Sequence, residues 1–248
     1  MVKGLDVFRS YFSGFEEQYV LIGGAACDIV FDSNDVNFRA TRDLDMVLIV
    51  EALTPEFGEK FWEFIKGGEY RNKATGDGKP QFYRFDKPEN DSFPKMIELF
   101  CRTGFELKKP EGIMPIHISD EISSLSAILL DDNYYKLLLD GKRIRNGLSI
   151  LRTEYIILFK ARAYLDLKKK NESGVYVNRD DIKKHKKDIL RITAELMLEE
   201  VTDIPETVNH DVNEFIDSLA NEPFDQNLLK EYGLNNNEVI ENLKRIFM

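Results

Sequence analysis

The feature that most limits how this chain can fold is a change of hydrophobic period at Thr153. Before it, short apolar runs such as Tyr19–Ile22 and Met46–Val50 are punctuated by Gly, Pro and Asp, as strands and short helices require. After it, apolar residues recur at helical spacing to Met248, beginning with Ile156, Ile157, Phe159 and Tyr164. The pattern predicts an α/β (α+β) architecture, a mixed sheet with flanking helices over residues 1–152 and a helical domain over 153–248. The helical part is expected to form one wall of a cleft. At 248 residues the chain has room for one large domain or two modest ones.

Within the first part, Phe8, Phe12 and Phe15 predict a helix over Leu5–Glu17. Tyr19–Ile22 reads as a strand running into Gly23-Gly24, with a helix over Ala25–Phe31. Asp43–Val50 is a second strand. Pro55–Lys66 is a helix with Thr54 as its N-cap and Pro55 at its first position. Gln81–Phe85 and Lys95–Cys101 are strand-like, joined by the polar turn Asp86–Pro94. Tyr134–Leu139 and Arg143–Leu151 flank Asp140-Gly141 and predict a hairpin there. Thr153 is expected to cap a long helix, and later helices are separated at Asn171–Asn178, Pro205 and Pro223.

Several function classes are excluded at this level. No apolar run approaches the ~20 residues that cross a bilayer, and Asp6 and Arg9 interrupt the first apolar stretch, so a cytoplasmic protein without a membrane partner is expected. Cys27 and Cys101 form no CxxC and read as buried thiols; His117, His185 and His210 are scattered and read as structural. A net charge of −10 opposes a general nucleic-acid coat. The charge is uneven, however: residues 160–191 hold eleven Lys and Arg against five Asp and Glu. That segment is either a solvated helix face or a phosphate-facing surface. Gly76–Pro80 lacks the spacing of a P-loop and reads as a loop.

The chemistry concentrates in two short segments. Asp43 and Asp45 lie two apart at the start of an apolar strand, so both face the same side, ~7 Å apart. Like charges on one face repel and are costly to desolvate, and a bound Mg²⁺ (or Mn²⁺) removes the conflict. A strand ending in Gly23-Gly24 and feeding a helix lets backbone N–H groups approach an anion closely. Together they put a phosphate cradle beside a metal platform.

Gly23-Gly24 followed by Asp43-x-Asp45 resembles the signature of the nucleotidyltransferase superfamily, the polymerase-β-like fold. The fuller string Arg39-x-Thr41-x-Asp43-Leu44-Asp45 is similar to the AbiEii/MenT-like toxin branch. That resemblance implies nucleotide binding by Gly23, Gly24, Arg39 and Thr41, and by Lys160 on the first C-terminal helix and Lys184 and Asp188 on a later one. It implies a third carboxylate on a strand beside the aspartates. Glu98, alone in the apolar run Met96–Cys101, is one candidate, and Asp86 is the other. The implied activity is metal-dependent transfer of a nucleoside monophosphate from a nucleoside triphosphate to an RNA end, protein hydroxyl or small molecule. Asp43, Asp45 and Glu98 would hold metal and carry catalysis, with Glu98 helping to deprotonate the acceptor. Lys160→Ala would weaken nucleotide binding with the fold intact. A partner antitoxin is also implied. Arg39 and Arg42 could reach phosphate oxygens or form surface ion pairs. The competing reading is a catalytically silent module of the same fold that binds nucleotide or protein.

Overall fold

The computed structural model describes residues 2–34, 36, 38, 39, 41, 43–74, 80–102, 105–109, 112–116, 128, 129 and 131–248, with backbone only at 72–74, 80–83, 105–109 and 112–116. Arg42, His117 and most of the Gly76–Pro80 loop, its first four residues, lie outside the described residues. The chain divides into two compact units, Met1–Ile122 with Gly141–Arg152, and Ser123–Asp140 with Thr153–Met248.

The first unit is built on a seven-stranded mixed sheet. Its elements run α1 (Leu5–Phe12), β1 (Tyr19–Leu21), α2 (Gly23–Asp32), β2 (Asp43–Leu48), α3 (Pro55–Gly67), β3 (Arg71–Ala74), β4 (Pro80–Asp86) and β5 (Met96–Phe100). A separate antiparallel pair, β6 (Phe105–Lys109) and β7 (Gly112–Ile116), follows. The hairpin β8 (Lys142–Arg145) and β9 (Leu148–Leu151) completes the large sheet, whose spatial order is β3-β4-β5-β2-β1-β9-β8. β2 runs parallel to β5, and β1 parallel to β9; the other neighbours are antiparallel.

One face of this sheet is an aromatic core. Phe8 and Phe12 of α1, Tyr19 of β1, Phe57, Phe61 and Phe64 of α3 and Phe85 of β4 are all fully buried. Their rings meet edge-on or tilted, as between Phe8 and Tyr19 (5.5 Å, 90°) and Phe61 and Phe85 (5.5 Å, 67°). Taking each such ring out of water contributes about 2–3 kcal/mol, so the core rests on the helical spacing of α1 and α3. α3 is capped as its sequence demands: the Thr54 hydroxyl accepts from Phe57 N at 3.3 Å, with Pro55 at the first helical position. α1 stops at Phe12, earlier than its phenylalanine spacing predicts, and Gly14 takes φ +88° just beyond it.

The hairpin expected at Asp140-Gly141 does not form there. Asp132–Asp140 is instead a helix, α4, because Tyr134, Tyr135, Leu137 and Leu138 fall on one helical face and are buried. Asp131 caps it, its carboxylate accepting from Asn133 N at 2.8 Å. The reversal comes six residues later at Asn146-Gly147, with φ of 51° and 70°. Two consecutive positive-φ residues make the turn whose twist matches a two-residue hairpin, and Asn-Gly is its commonest sequence.

The second unit is helical: α5 (Thr153–Glu172), α6 (Arg179–Glu195), α7 (Glu206–Asn221), α8 (Gln226–Glu231) and α9 (Asn236–Phe247), with α4 clustered among them. The sequence boundary near residue 152 therefore coincides with the start of α5, while Ser123–Asp140 belongs with the helices. Thr153 is the first residue of α5 rather than a residue outside it. α5 is apolar around its first turns and buried from Thr153 to Ala161. Asn178 caps α6, and Asn235 with Glu238 forms a reciprocal capping box on α9. Among the described residues no helix is long and apolar enough to cross a membrane.

Candidate active site

The site is assembled on the sheet face opposite the aromatic core. The end of β1 is stitched to β2 by Ile22 N donating to Asp45 O at 3.0 Å. That bond brings Gly23 directly under the Asp45 side chain: a Cβ on Gly23 would lie 2.6 Å from Asp45 Oδ2. Gly23 also takes φ +61°, where a side chain is strained. Gly24 is constrained by space alone: its Cβ would lie 2.6 Å from Thr41 Oγ1 and 3.4 Å from Arg39 Nη2. The glycine pair thus packs against Asp45, Thr41 and Arg39. Five of the positions singled out in the sequence meet at one point.

α2 begins at this glycine pair with no side-chain cap and no acid in its first turn. The first N–H groups of a helix have no intrahelical acceptor and carry the positive end of the dipole. An anion placed here would meet backbone donors with no carboxylate from the first turn competing for them.

Strand register places the carboxylates. Asp45 pairs with Glu98 across the parallel β2–β5 ladder, and Asp43 pairs with Met96. Adjacent strands are about 4.8 Å apart, so Glu98 stands one strand spacing from Asp45 on the same face. Asp86, the alternative third carboxylate, is in register with Met96 and so lies two strands from Asp43. Glu98 is the nearer partner of the aspartate pair. Asp43 and Asp45 are half-buried, whereas Glu98 is 6% exposed.

A buried Glu98 requires a cation or partner, which the sequence leaves unnamed. It is Arg84, opposite Glu98 on β4: Arg84 Nη2 donates to both carboxylate oxygens, at 2.6 and 2.7 Å. A readable signal existed, since Arg84 stands alone between the apolar residues Tyr83 and Phe85 in a strand-like run.

The donor set fits a hard divalent cation. Two oxygen-only ligands two apart on a strand, beside a cradle that a Cβ on either glycine would fill, suit Mg²⁺ or Mn²⁺ with its own waters.

Lys160 and Asp188 lie in the second unit and meet there. Lys160 Nζ donates to Asp188 Oδ2 at 2.7 Å, and the two residues are 7% and 2% exposed. Lys184 is exposed on α6, one turn before Asp188. Of the basic segment 160–191, Lys168 pairs with Glu222 at 2.8 Å and Lys169 with Glu214 at 3.3 Å. Lys186 donates to the backbone oxygens of Glu222 and Pro223 and lies over the rings of Tyr164 and Phe224. Much of the basic run is therefore internal bracing of the helices.

A group of possible metal ligands on α7, His210, Asp211 and Glu214, places its ligand atoms within 4.8 Å of one another. Its carboxylates are already engaged. Asp211 accepts from Arg162 at 2.8 Å and from the Tyr134 hydroxyl at 2.9 Å. Burial, and then the Asp211 charge, push the Tyr134 hydroxyl far above its ordinary pKa, so it stays a donor. Cys27 and Cys101 are both buried and form no disulfide among the described residues.

Gly23→Ala tests the cradle. The substitution forces a side chain into positive φ and against the Asp45 carboxylate. It should cost about 1–2 kcal/mol of stability and weaken Mn²⁺ binding, read by thermal melting and by titration. Metal affinity equal to wild type would show that the glycine does not position Asp45.

No protein-family model, curated protein or solved structure matches this chain.

Proposed function

We propose that this chain is a metal-dependent nucleotidyltransferase. The observation that carries the reading is the packing of Gly23-Gly24 directly against Asp45, Thr41 and Arg39 at the uncapped start of α2. It supports a site where phosphate and a divalent cation are held side by side. In this reading the backbone N–H groups at the start of α2, the Thr41 hydroxyl and the Arg39 guanidinium receive triphosphate oxygens. Asp43 and Asp45 hold Mg²⁺ or Mn²⁺, which when bound supplies Lewis-acid stabilisation of phosphoryl charge. The acceptor hydroxyl oxygen bonds to the α-phosphorus as the bond to the pyrophosphate oxygen breaks, and its proton passes to a carboxylate of this cluster. Most of the rate enhancement then comes from positioning and charge stabilisation. On the resemblance alone, the proposal extends to an RNA-end or protein hydroxyl acceptor and to a toxin role with an antitoxin partner.

The test is to incubate the protein with each α-³²P nucleoside triphosphate, Mg²⁺ or Mn²⁺, and total cell RNA and protein. Chelator-sensitive label on RNA or protein from at least one nucleotide is expected. A nucleotide-dependent rise in melting temperature without label would instead favour the silent binding module. Neither label nor a thermal shift would sink both readings.

A further inference from the structure

The pairing of Arg84 with Glu98 changes the role expected of the third carboxylate. We propose that Glu98 is not a metal ligand but the holder of Arg84, and that Arg84 is a fixed cation of the site, directed at the nucleotide's phosphates beside a single divalent ion. This rests on the nucleotidyltransferase reading and specifies how that site is charged.

Three observations carry it. The first is register. Asp45, Glu98 and Arg84 are consecutive cross-strand partners on β2, β5 and β4, so all three side chains rise from one face of the sheet in one row. The second is enclosure. Both Glu98 oxygens accept from one Arg84 nitrogen, and the Glu98 side chain is only 8% exposed. A metal ligand must offer a lone pair to an approaching ion, and this carboxylate is enclosed with its counter-ion already in place. The third is what Arg84 has left. A guanidinium carries five N–H donors, and among the described residues Nη2 alone is used. Nε is buried without a partner among the described residues, while the side chain as a whole is 26% exposed. A donor left this way costs free energy until an acceptor arrives.

Charge balance along the row points the same way. Glu98 with Arg84 is neutral, so the pair adds no net negative charge to draw a second divalent cation. A second divalent ion would have to draw Glu98 away and then sit beside the released guanidinium, with two positive centres in one pocket. A planar guanidinium instead suits phosphate oxygens directly, and its carboxylate partner fixes its plane. Glu98 is thus a positioning residue acting through Arg84.

The experiment titrates the full chain with Mn²⁺ by electron paramagnetic resonance, without nucleotide, and then with a non-hydrolysable nucleoside triphosphate analogue. The variants are Asp45→Asn, Glu98→Gln, Arg84→Lys and the double variant Arg84→Gln with Glu98→Gln. The double variant keeps a neutral hydrogen-bonded pair, so no buried charge is orphaned. Wild type should bind one Mn²⁺, and Asp45→Asn none. Glu98→Gln and the double variant should keep that ion with affinity within about threefold. Both should lose about tenfold or more in analogue affinity, the loss of a charge-assisted contact, with Arg84→Lys intermediate. Two Mn²⁺ ions in wild type, a tenfold loss of Mn²⁺ affinity in Glu98→Gln, or unchanged analogue affinity in the double variant would each overturn the proposal. Absence of Mn²⁺ binding in wild type, or its persistence in Asp45→Asn, would overturn the underlying metal-site reading itself.

Discussion

Asp45→Asn should abolish nucleotidyl transfer while leaving the melting temperature unchanged or slightly raised. Asp45 is the residue on which the site converges: Gly23 packs against its carboxylate, Ile22 donates to its backbone oxygen, and Glu98 is its cross-strand neighbour. On the proposed mechanism, losing one of the two carboxylates assigned to the metal removes several kcal/mol of charge stabilisation, so turnover should fall by at least about 10²-fold. The amide is nearly isosteric and keeps the backbone register. It also removes one member of a like-charged pair two residues apart on a strand, which accounts for the expected gain in stability. Turnover of the labelled nucleotide and a melting curve, run beside wild type, check the two halves separately. Full activity in Asp45→Asn would overturn the metal mechanism.

Lys160→Ala should do the reverse, acting first on stability. The family resemblance implies a phosphate-binding lysine here, whose removal would leave the fold intact. The structure corrects the second half of that expectation, because Lys160 is 7% exposed and its ammonium is 2.7 Å from an Asp188 that is 2% exposed. Truncating the lysine breaks this buried pair and leaves Asp188 with weaker compensation, the Arg191 charge among it, which costs about 3 kcal/mol. For a chain of this size that corresponds to a fall in Tm of roughly 6–12 °C. Lys160→Met combined with Asp188→Leu removes both charges together and should recover most of the loss, since well-packed apolar replacements of a buried pair are close to neutral. Urea unfolding of the single and double variants measures this. A single variant as stable as wild type would show that the pair is solvated. Nucleotide affinity of the double variant then isolates any contact Lys160 makes with phosphate, free of the stability effect.

What the chain shows locally and what it shows only when folded divide along a physical line. Thr54 and Pro55 at the head of α3, the phenylalanine spacing of α1, the glycine pair ending β1 and the aspartates opening β2 are all legible in sequence. They depend on interactions between residues a few positions apart, through backbone stereochemistry, capping and side-chain period. Around Asp140 two local signals compete. Asp140-Gly141 suggests a hairpin, but the helical face of Tyr134, Tyr135, Leu137 and Leu138 prevails, and Asn146-Gly147 makes the turn.

Only the tertiary structure decided the partners. That Glu98 rather than Asp86 stands beside Asp45 follows from the register of two parallel strands with about fifty residues between them. A one-residue slip would have turned Glu98 to the opposite face. Arg84 as the counter-ion of Glu98, and Asp188 as that of Lys160, are likewise choices made between segments distant in the chain. The sequence by itself determined that a buried acid or lysine must find an opposite charge, because an unpaired ion in a low-dielectric interior is too costly to keep. Which charge it finds is set by strand pairing and helix packing, whose geometry depends on contacts across the whole fold and leaves no trace in any short window of residues.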